Sequence, residues 1–272
     1  MGMIEKYINR VCRFAIGITL ITAVLNSCTV TLAASNHKKT HRSAESDMVL
    51  IKGNFYTPLF KKPGEKSSQY VKSFYIDVHA VTNEQFLKFV KANPEWRRSN
   101  VKRIFADKNY LKKWLDDLIP GEKVNPLSPV VNVSWFAANA YCKWVNKRLL
   151  TVAEWELASS GNFLPGSKSI INTNDKLIKW YSRGMPNQIN SIMSTGRNSF
   201  GVYDMFGLVR EWTYDFSDMN INGVAICGAG SSGATELTNY PAFLRYGFRS
   251  SLNARSTLPN LGFRCARDLN QN

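Results

Sequence analysis

The pattern of hydrophobic and polar positions predicts two strands and a helix at the start of the domain. Residues 48–56 (MVLIKGNFY) and 73–81 (SFYIDVHAV) are rich in β-branched and aromatic side chains, which is typical of strands. Directly after the second run, Thr82 and Gln85 have the spacing of a capping box, in which each side chain accepts a hydrogen bond from the other residue's backbone N–H. We therefore expect a helix to begin after Thr82 and to end before Pro94.

The helical pattern continues to the middle of the chain and then changes. Residues 95–128 suggest short helical pieces, with Tyr110 and Trp114 spaced as on one helix face, and residues 134–145 predict a further helix. A second capping box at 151–154 predicts another. Beyond it glycine, asparagine and serine are frequent, and no amphipathic helix of useful length is visible. We therefore expect an irregular second half with a small sheet.

The N-terminal pattern predicts export. Lys6, Arg10 and Arg13 precede an uncharged, mostly apolar stretch at residues 14–25. This stretch is too short to span a bilayer as a helix, but it has the length of a signal-peptide core. The polar and charged residues that follow it do not fit the alternative of a buried helix of the domain.

Two ways of cleaving this leader remain open. Residues 25–28 (LNSC) resemble the lipobox of bacterial lipoproteins, although Asn26 stands where a small residue is usual, and Cys28 would then be lipidated. A general signal peptidase would instead cut near Ala33 or Ala34. We favour lipidation because Cys28 lies directly beyond the apolar stretch. The expected location is the periplasm or, through a lipid anchor, the outer membrane of a bacterium; ordinary cleavage would give a secreted soluble protein.

Charge and cysteine content limit the partners and the disulfides. The chain divides into a signal peptide at 1–28, a polar tether at 29–46 and one domain at 47–269. A formal net charge of +15 favours an anionic surface as partner, but no run of five or six like charges occurs, which argues against nucleic-acid binding. Of the five cysteines, Cys12 leaves with the leader, and Cys28 is also removed from the count if it is lipidated; the remaining three predict one disulfide and one odd thiol.

Four separated segments carry a resemblance to a known family. They are residues 74–86, 129–156, 198–212 and 260–266. Together and in this order they resemble the sulfatase-modifying-factor domain of formylglycine-generating enzymes, across residues 48–268. The resemblance implies an α+β, C-type-lectin-related formylglycine-generating-enzyme fold with much irregular structure.

The resemblance leaves the function open, because members of this family have several different activities. Residues 93–99, 105–107 and 245–252 look similar to the branch of accessory proteins that are associated with nitrite reductases. An accessory role in the cell envelope is therefore the function that the resemblance favours.

The chain lacks the cysteines and histidines with which members of this family hold copper and iron. Its oxidase holds copper with two cysteines shortly before the closing Gly-Phe-Arg-Cys segment, and the matching positions here fall near Glu236 and Pro241, which cannot hold copper(I). The iron-dependent members use three histidines, whereas this chain has only His37, His41 and His79, of which the first two lie in the tether. We therefore expect neither a copper site nor a three-histidine iron site.

A structural calcium site is implied by the resemblance. Asp204, Gly207, Val209 and Glu211 match a family loop that binds Ca²⁺ through two side chains and through backbone carbonyls. Carboxylate and carbonyl oxygens suit this ion. The other interpretation is that Asp204 and Glu211 only cap loops or pair with arginines.

The resemblance also implies a disulfide between Cys142 and Cys265. Closing such a long loop would stabilise the fold by about 3–5 kcal/mol in the chain-entropy model. The family's second bridge would need cysteines at Ser159 and near Tyr246, so only one bridge is expected. Cys227 is then a leftover thiol, more simply a small buried residue than a nucleophile.

Five arginines make the C-terminal segment basic. The resemblance assigns Arg249 and Arg264 a structural role, in which they pair with acids beneath the family's groove. Arg245, Arg255 and Arg267 are the ones left to face a ligand.

These observations predict an exported formylglycine-generating-enzyme-like protein that lacks the copper cysteine pair and acts as an envelope accessory or binding protein, for a protein or a small ligand. The alternative is an oxidoreductase or maturation enzyme of the same family with a different active site, for which the candidate groove residues are Cys227, Ser231, Glu236 and Tyr240. A lectin-like ligand-binding module at the cell surface is a third possibility.

Overall fold

Short helices and short strands alternate along the chain. The computed structural model describes residues 48–60, 66–162, 174–182 (side chains from 177), 188–217 and 239–269. The α-helices of these residues are α1 (Asn83–Ala92), α2 (Trp135–Trp144), α3 (Val152–Ser159), α4 (Asn174–Ser182) and α5 (Tyr240–Ser250). The strands are β1 (Met48–Ile51), β2 (Asn54–Tyr56), β3 (Gln69–Val71), β4 (Phe74–Asp77), β5 (Trp114–Asp116), β6 (Ile119–Pro120), β7 (Arg148–Leu149), β8 (Arg210–Glu211), β9 (Leu261–Gly262) and β10 (Cys265–Asp268). None of the described helices is long and apolar enough to cross a membrane.

The main sheet joins the two ends of the domain. Its four antiparallel strands have the order β1-β4-β10-β7. The last strand, β10, lies inside this sheet, with Ala266 opposite Ile76 of β4 and Cys265 opposite Leu149 of β7. The other sheets are two-stranded. Helices combined with small, mainly antiparallel sheets confirm the expected α+β class.

The first predicted strand is two strands in the structure, which corrects the interpretation of residues 48–56 as one run. β1 joins the main sheet, whereas β2 pairs with β3 in a separate hairpin. The chain changes sheets at Gly53, whose backbone N–H donates to Ser73 Oγ at 2.8 Å. A Cβ at this position would lie 2.9 Å from the carbonyl oxygen of Val71, so glycine permits the close approach.

Three helices begin where the sequence predicts them. Before α1, Thr82 Oγ1 accepts from the Gln85 N–H at 3.2 Å, and Gln85 Oε1 accepts from the Thr82 N–H at 2.9 Å. The side chain of Ser134 caps α2, and Thr151 forms the predicted capping box with Glu154 before α3. Local hydrogen bonds between neighbours in sequence therefore set these boundaries.

The prediction of a helical face that joins Tyr110 and Trp114 is wrong. Trp114 is the first residue of β5. Between the two, Leu111 has a positive φ of 46°, which a right-handed helix does not contain. Its N–H donates to the carbonyl of Asn132 at 2.8 Å instead. Tyr110 and Trp114 are nonetheless both buried, because they pack into the same core cluster from a turn and a strand.

The expectation of a second half without amphipathic helices is also wrong, because α4 and α5 lie there. The buried face of α5 comprises Pro241, Ala242, Tyr246 and Arg249. An arginine on a buried face breaks the hydrophobic pattern that identifies an amphipathic helix. The helix was therefore missed because its inner face is held by charge as well as by apolar contact.

Aromatic rings fill the core between α1, α2 and the C-terminal strands. Tyr141 stacks on Phe86 at 5.8 Å between ring centroids and meets the edge of Phe263 at 5.3 Å. Within this cluster a disulfide joins Cys142 of α2 to Cys265 of β10, with their Cα atoms 5.7 Å apart. It is the pair that the family resemblance implies.

Replacing Thr82 with alanine is expected to lower the free energy of unfolding by about 1 kcal/mol. The change removes the oxygen that accepts the Gln85 N–H at the start of α1. Urea unfolding followed by tryptophan fluorescence measures the loss. Thr82→Ser keeps the acceptor and should stay close to the wild type; equal losses in both variants would mean that the hydrogen bond is not the cause.

Candidate functional site

A cavity of about 350 Å³ is lined by residues of α5, α4, α3 and β2 and by nearby loop residues. Its polar wall includes Tyr56 of β2, Glu156 of α3, and Arg245 and Arg249 of α5. Its volume lies within the range of small-molecule pockets. It is therefore the candidate functional site of the described residues.

The start of α5 sets the direction in which its two arginines point. Asn239 caps the helix, its Oδ1 accepting from the Ala242 N–H at 3.2 Å. Pro241 fits the first turn because a proline has no N–H to satisfy there. Arg245 and Arg249 are four residues apart, so they lie on the same face of the helix, one turn from each other.

A buried ion triad forms one wall of the cavity. Arg245 donates from Nε and from a terminal nitrogen to the two oxygens of Glu156, at 2.9 and 2.7 Å. Arg249 donates to Glu156 Oε1 at 2.7 Å. The three side chains are only 6–12% exposed. Arg249 also lies 4.8 Å from the ring centroid of Trp155, and Arg245 lies 5.6 Å from that of Phe206.

Burial and the charges of the triad shift two pKa values at the site. Burial raises the pKa of Glu156, but the charges and hydrogen bonds of Arg245 and Arg249 outweigh burial and lower this pKa to about 2. Burial, and then the charge of Glu156, raise the pKa of the Tyr56 hydroxyl far above its ordinary value. At neutral pH the site therefore holds two guanidinium cations, one carboxylate and a protonated tyrosine.

Stability is expected to fall as Glu156 takes up its proton. The folded pKa of about 2 lies below the ordinary value of 4.5, so the contribution of the carboxylate is complete above pH 4.5 and is lost as the pH falls towards 2. Free energies of unfolding measured by urea across this interval test the expectation. Glu156→Gln is the control, since it cannot titrate. Parallel curves for the two proteins would contradict the assignment.

The model of sulfatase-modifying factor enzyme 1-like domains matches residues 33–269 of this chain. The chain belongs to this family. Among solved structures, PvdO from Pseudomonas aeruginosa superimposes with a TM-score of 0.52 at 22% identity, across 84% of this chain and 96% of that one. This likeness concerns the fold alone and agrees with the α+β fold expected of the family.

Two curated relatives have different names, and this chain covers different shares of their lengths. A protein named serine/threonine-protein kinase pkn1 from Chlamydia caviae is 27% identical over 209 residues, which are 73% of this chain. This chain spans only 33% of that protein's length. The inactive C-alpha-formylglycine-generating enzyme 2 of Bos taurus is 28% identical over 247 residues, which cover 72% of this chain and 77% of that protein.

Family positions that the sequence singled out meet at the cavity. Pro241, near one position of the copper cysteines, lies in its wall. Ser159 and Tyr246, where the family's second disulfide would need cysteines, line the same cavity. The structure thus brings together an inferred metal position and an inferred bridge position that lie far apart in sequence.

Of the four groove candidates of the enzyme interpretation, the structure describes only Tyr240. Cys227, Ser231 and Glu236 lie outside the part of the chain that the structure describes. Tyr240 is the first residue of α5, is 63% exposed and does not line the cavity. It begins the helix whose next turns carry the arginines.

Asp204 of the family's calcium loop organises the loop around it. Asp204 has a positive φ of 55° and Gly207 one of 94°, so the chain turns sharply between them. Asp204 Oδ1 accepts from the backbone N–H and the hydroxyl of Thr195, at 2.8 and 2.9 Å, and Oδ2 accepts from the N–H of Met193. Both oxygens of this carboxylate therefore have protein donors.

Glu211, the second acid of the loop, is paired with an arginine. Arg264 donates to both of its oxygens, at 2.8–3.0 Å, and Trp155 Nε1 donates to Oε2 at 2.9 Å. Val209, two residues earlier, is buried in a small apolar cluster. Because the carboxylate oxygens already accept hydrogen bonds and Arg264 balances the charge, this arrangement fits a calcium ion poorly. Calcium binding stays a prediction. No group of three His, Cys, Asp or Glu side chains that could hold a metal occurs in the described ranges.

The structure only partly agrees with the expected division into arginines that pair with acids and arginines that face a ligand. Arg249 and Arg264 both pair with buried acids. Arg245 pairs with the same acid as Arg249 and also lines the cavity. Arg255 and Arg267 are not among the residues that line it. The acid of the triad, Glu156, was missed in the sequence, because the spacing of the two arginines places them on one helix face but does not identify their partner.

Proposed function

We propose that this chain is an exported sulfatase-modifying-factor domain protein that lacks the copper cysteine pair and serves as an envelope accessory or binding protein. One observation carries the proposal. Pro241, which falls near a position of the family's copper cysteines, lies in the wall of a cavity beside the triad of Glu156, Arg245 and Arg249.

The chemistry of this wall supports binding rather than copper chemistry. A proline side chain has no atom that coordinates a metal, and copper(I) prefers soft thiolate ligands. Two guanidinium groups beside one carboxylate also repel a cation that enters the cavity. A relative with the name of an inactive formylglycine-generating enzyme supports the idea that this domain is retained without that activity.

Metal analysis of the purified mature protein, from which the leader has been removed, tests the loss of the copper site. After incubation with copper(I) and gel filtration, we expect far less than one copper per chain. A Cys227→Ser variant identifies any copper that the remaining thiol holds adventitiously. One copper per chain that survives in this variant would overturn the proposal. Calcium measured on the same samples tests the calcium site that the family resemblance implies at Asp204 and Glu211.

Fractionation of bacterial cells tests the proposed export and lipid anchor. We expect the wild type in the membrane fraction and a Cys28→Ala variant in the soluble or secreted fraction, because the lipid would be attached to this cysteine. Cys12→Ala, which changes a cysteine of the leader, should behave as the wild type. Identical fractionation of Cys28→Ala and wild type would exclude the lipid anchor, and retention of both in the cytoplasm would exclude export.

A further inference from the structure

We infer that the cavity beside α5 binds a small organic oxyanion, a carboxylate or phosphate attached to an apolar body. The inference rests on the proposed binding function and adds the chemical class of the ligand. The charge of the cavity, its hydrogen-bond donors and its apolar wall carry the argument.

The wall of the cavity carries more positive than negative charge. Among its described lining residues the ionised side chains are Arg245, Arg249 and Glu156, so two guanidinium groups face one carboxylate. Asp215, a further acid near this wall, does not line the cavity, and its Oδ1 accepts the N–H of Val152 at 2.7 Å. Among the described side chains that line the cavity, positive charge therefore exceeds negative charge by one, although the charge of Asp215 also acts on Tyr56 of the wall. A poorly solvated surplus charge is unfavourable unless a partner neutralises it, and a bound anion would do so.

The two arginines can bind an oxyanion without releasing Glu156. A guanidinium group has five N–H donors in a planar fork. Glu156 accepts from two nitrogens of Arg245 and from one nitrogen of Arg249. Arg245 makes a further side-chain hydrogen bond with Tyr181. The hydroxyls of the serines at 159–160 donate to backbone carbonyls of α3. The donors that we expect to bind an anion are therefore the N–H groups of the two guanidinium groups.

The remaining wall suits an apolar body. Leu59, Leu177, Phe206, Pro241 and Ala242 line the same cavity. A ligand with an oxyanion at one end and an alkyl or aryl group at the other would place its charge at the triad and its body on these side chains. Inorganic phosphate alone would leave this apolar surface in contact with water, which is why an organic anion fits better.

Isothermal titration calorimetry of the purified full chain tests the inference with three phenylalkyl probes. They are 4-phenylbutyrate, 3-phenylpropyl phosphate and the neutral 4-phenylbutyramide. We expect at least one of the two anions to bind, and the amide to bind at least about tenfold more weakly, because a charged acceptor makes stronger hydrogen bonds with guanidinium groups. The carboxylate and phosphate probes together identify the preferred oxyanion. Equal affinity for the amide, or no binding of either anion at millimolar concentration, would overturn the inference.

Variants distinguish a ligand site from a purely structural triad. Arg245→Gln should weaken the binding of the anion at least about tenfold, and Glu156→Gln should strengthen it, because the competing carboxylate is gone. Arg255→Gln, outside the cavity, should bind as the wild type. A structural triad predicts loss of stability in the first two variants and no opposite change in affinity. If either variant fails to fold, the comparison of anions with amide on the wild type still decides.

The calorimetry and the copper analysis test the two proposals independently. A copper-free, exported protein that binds neither anion would refute the oxyanion inference alone. Stoichiometric copper would refute the proposed function, whatever the calorimetry shows.

Discussion

Replacing Arg264 with methionine is expected to lower the free energy of unfolding by about 3–5 kcal/mol. The side chain of Arg264 is fully buried and donates to both oxygens of Glu211 and, at 2.9 Å, to the carbonyl of Tyr203. Glu211 is itself only 1% exposed. The variant would leave its carboxylate in the interior with Trp155 as its remaining side-chain donor. Urea unfolding followed by circular dichroism measures the loss.

Two control variants separate the buried charge from the loss of an arginine in general. Arg267, three residues later, is partly exposed and lies over the ring of Tyr75 at 5.4 Å, so Arg267→Met should lose less than about 1 kcal/mol. The double variant Arg264→Met, Glu211→Met removes both charges and should be more stable than Arg264→Met alone. If Arg264→Met were as stable as Arg267→Met, this result would contradict the role assigned to the pair of Arg264 and Glu211.

Helix starts could be predicted from sequence because their causes are local. Thr82 and Gln85, or Thr151 and Glu154, exchange hydrogen bonds over three residues, and no distant segment has to be known. Strand ends were less predictable. The break at Gly53 depends on Ser73 and Val71, which belong to other strands and approach only in the fold.

The candidate site could be predicted only in part, because its central interaction joins distant residues. Arg245 and Glu156 are 89 positions apart, and the residues around each of them contain no pattern that predicts the other as its partner. The resemblance predicted that Arg249 and Arg264 pair with acids, but it did not identify Glu156 as the acid or predict that Arg245 shares it. The family resemblance placed Pro241 near a copper position and Ser159 beside a lost bridge, and the structure brings both to one cavity.

The calcium loop shows the limit of a matched motif. Asp204, Gly207 and Glu211 have the expected spacing, yet a spacing does not reveal which donors reach the carboxylates. Arg264 and Thr195 supply these donors, and both lie outside the motif. A buried arginine can take the place of a metal ion as the partner of an acid. Residue type and spacing alone therefore do not distinguish a calcium site from acids that pair with arginines.

Removing the disulfide is expected to have the other large effect. A Cys142→Ala, Cys265→Ala variant should lose about 5 kcal/mol of unfolding free energy, because the bridge closes a loop with a sequence separation of 123 and so restricts the unfolded chain. Urea unfolding with and without dithiothreitol measures this. The wild type unfolded in the presence of the reductant should approach the variant, whereas the variant itself should not respond, which controls for the thiol of Cys227. A variant within about 1 kcal/mol of the oxidised wild type would contradict the expectation that the link from α2 to β10 stabilises the fold by restricting the unfolded chain.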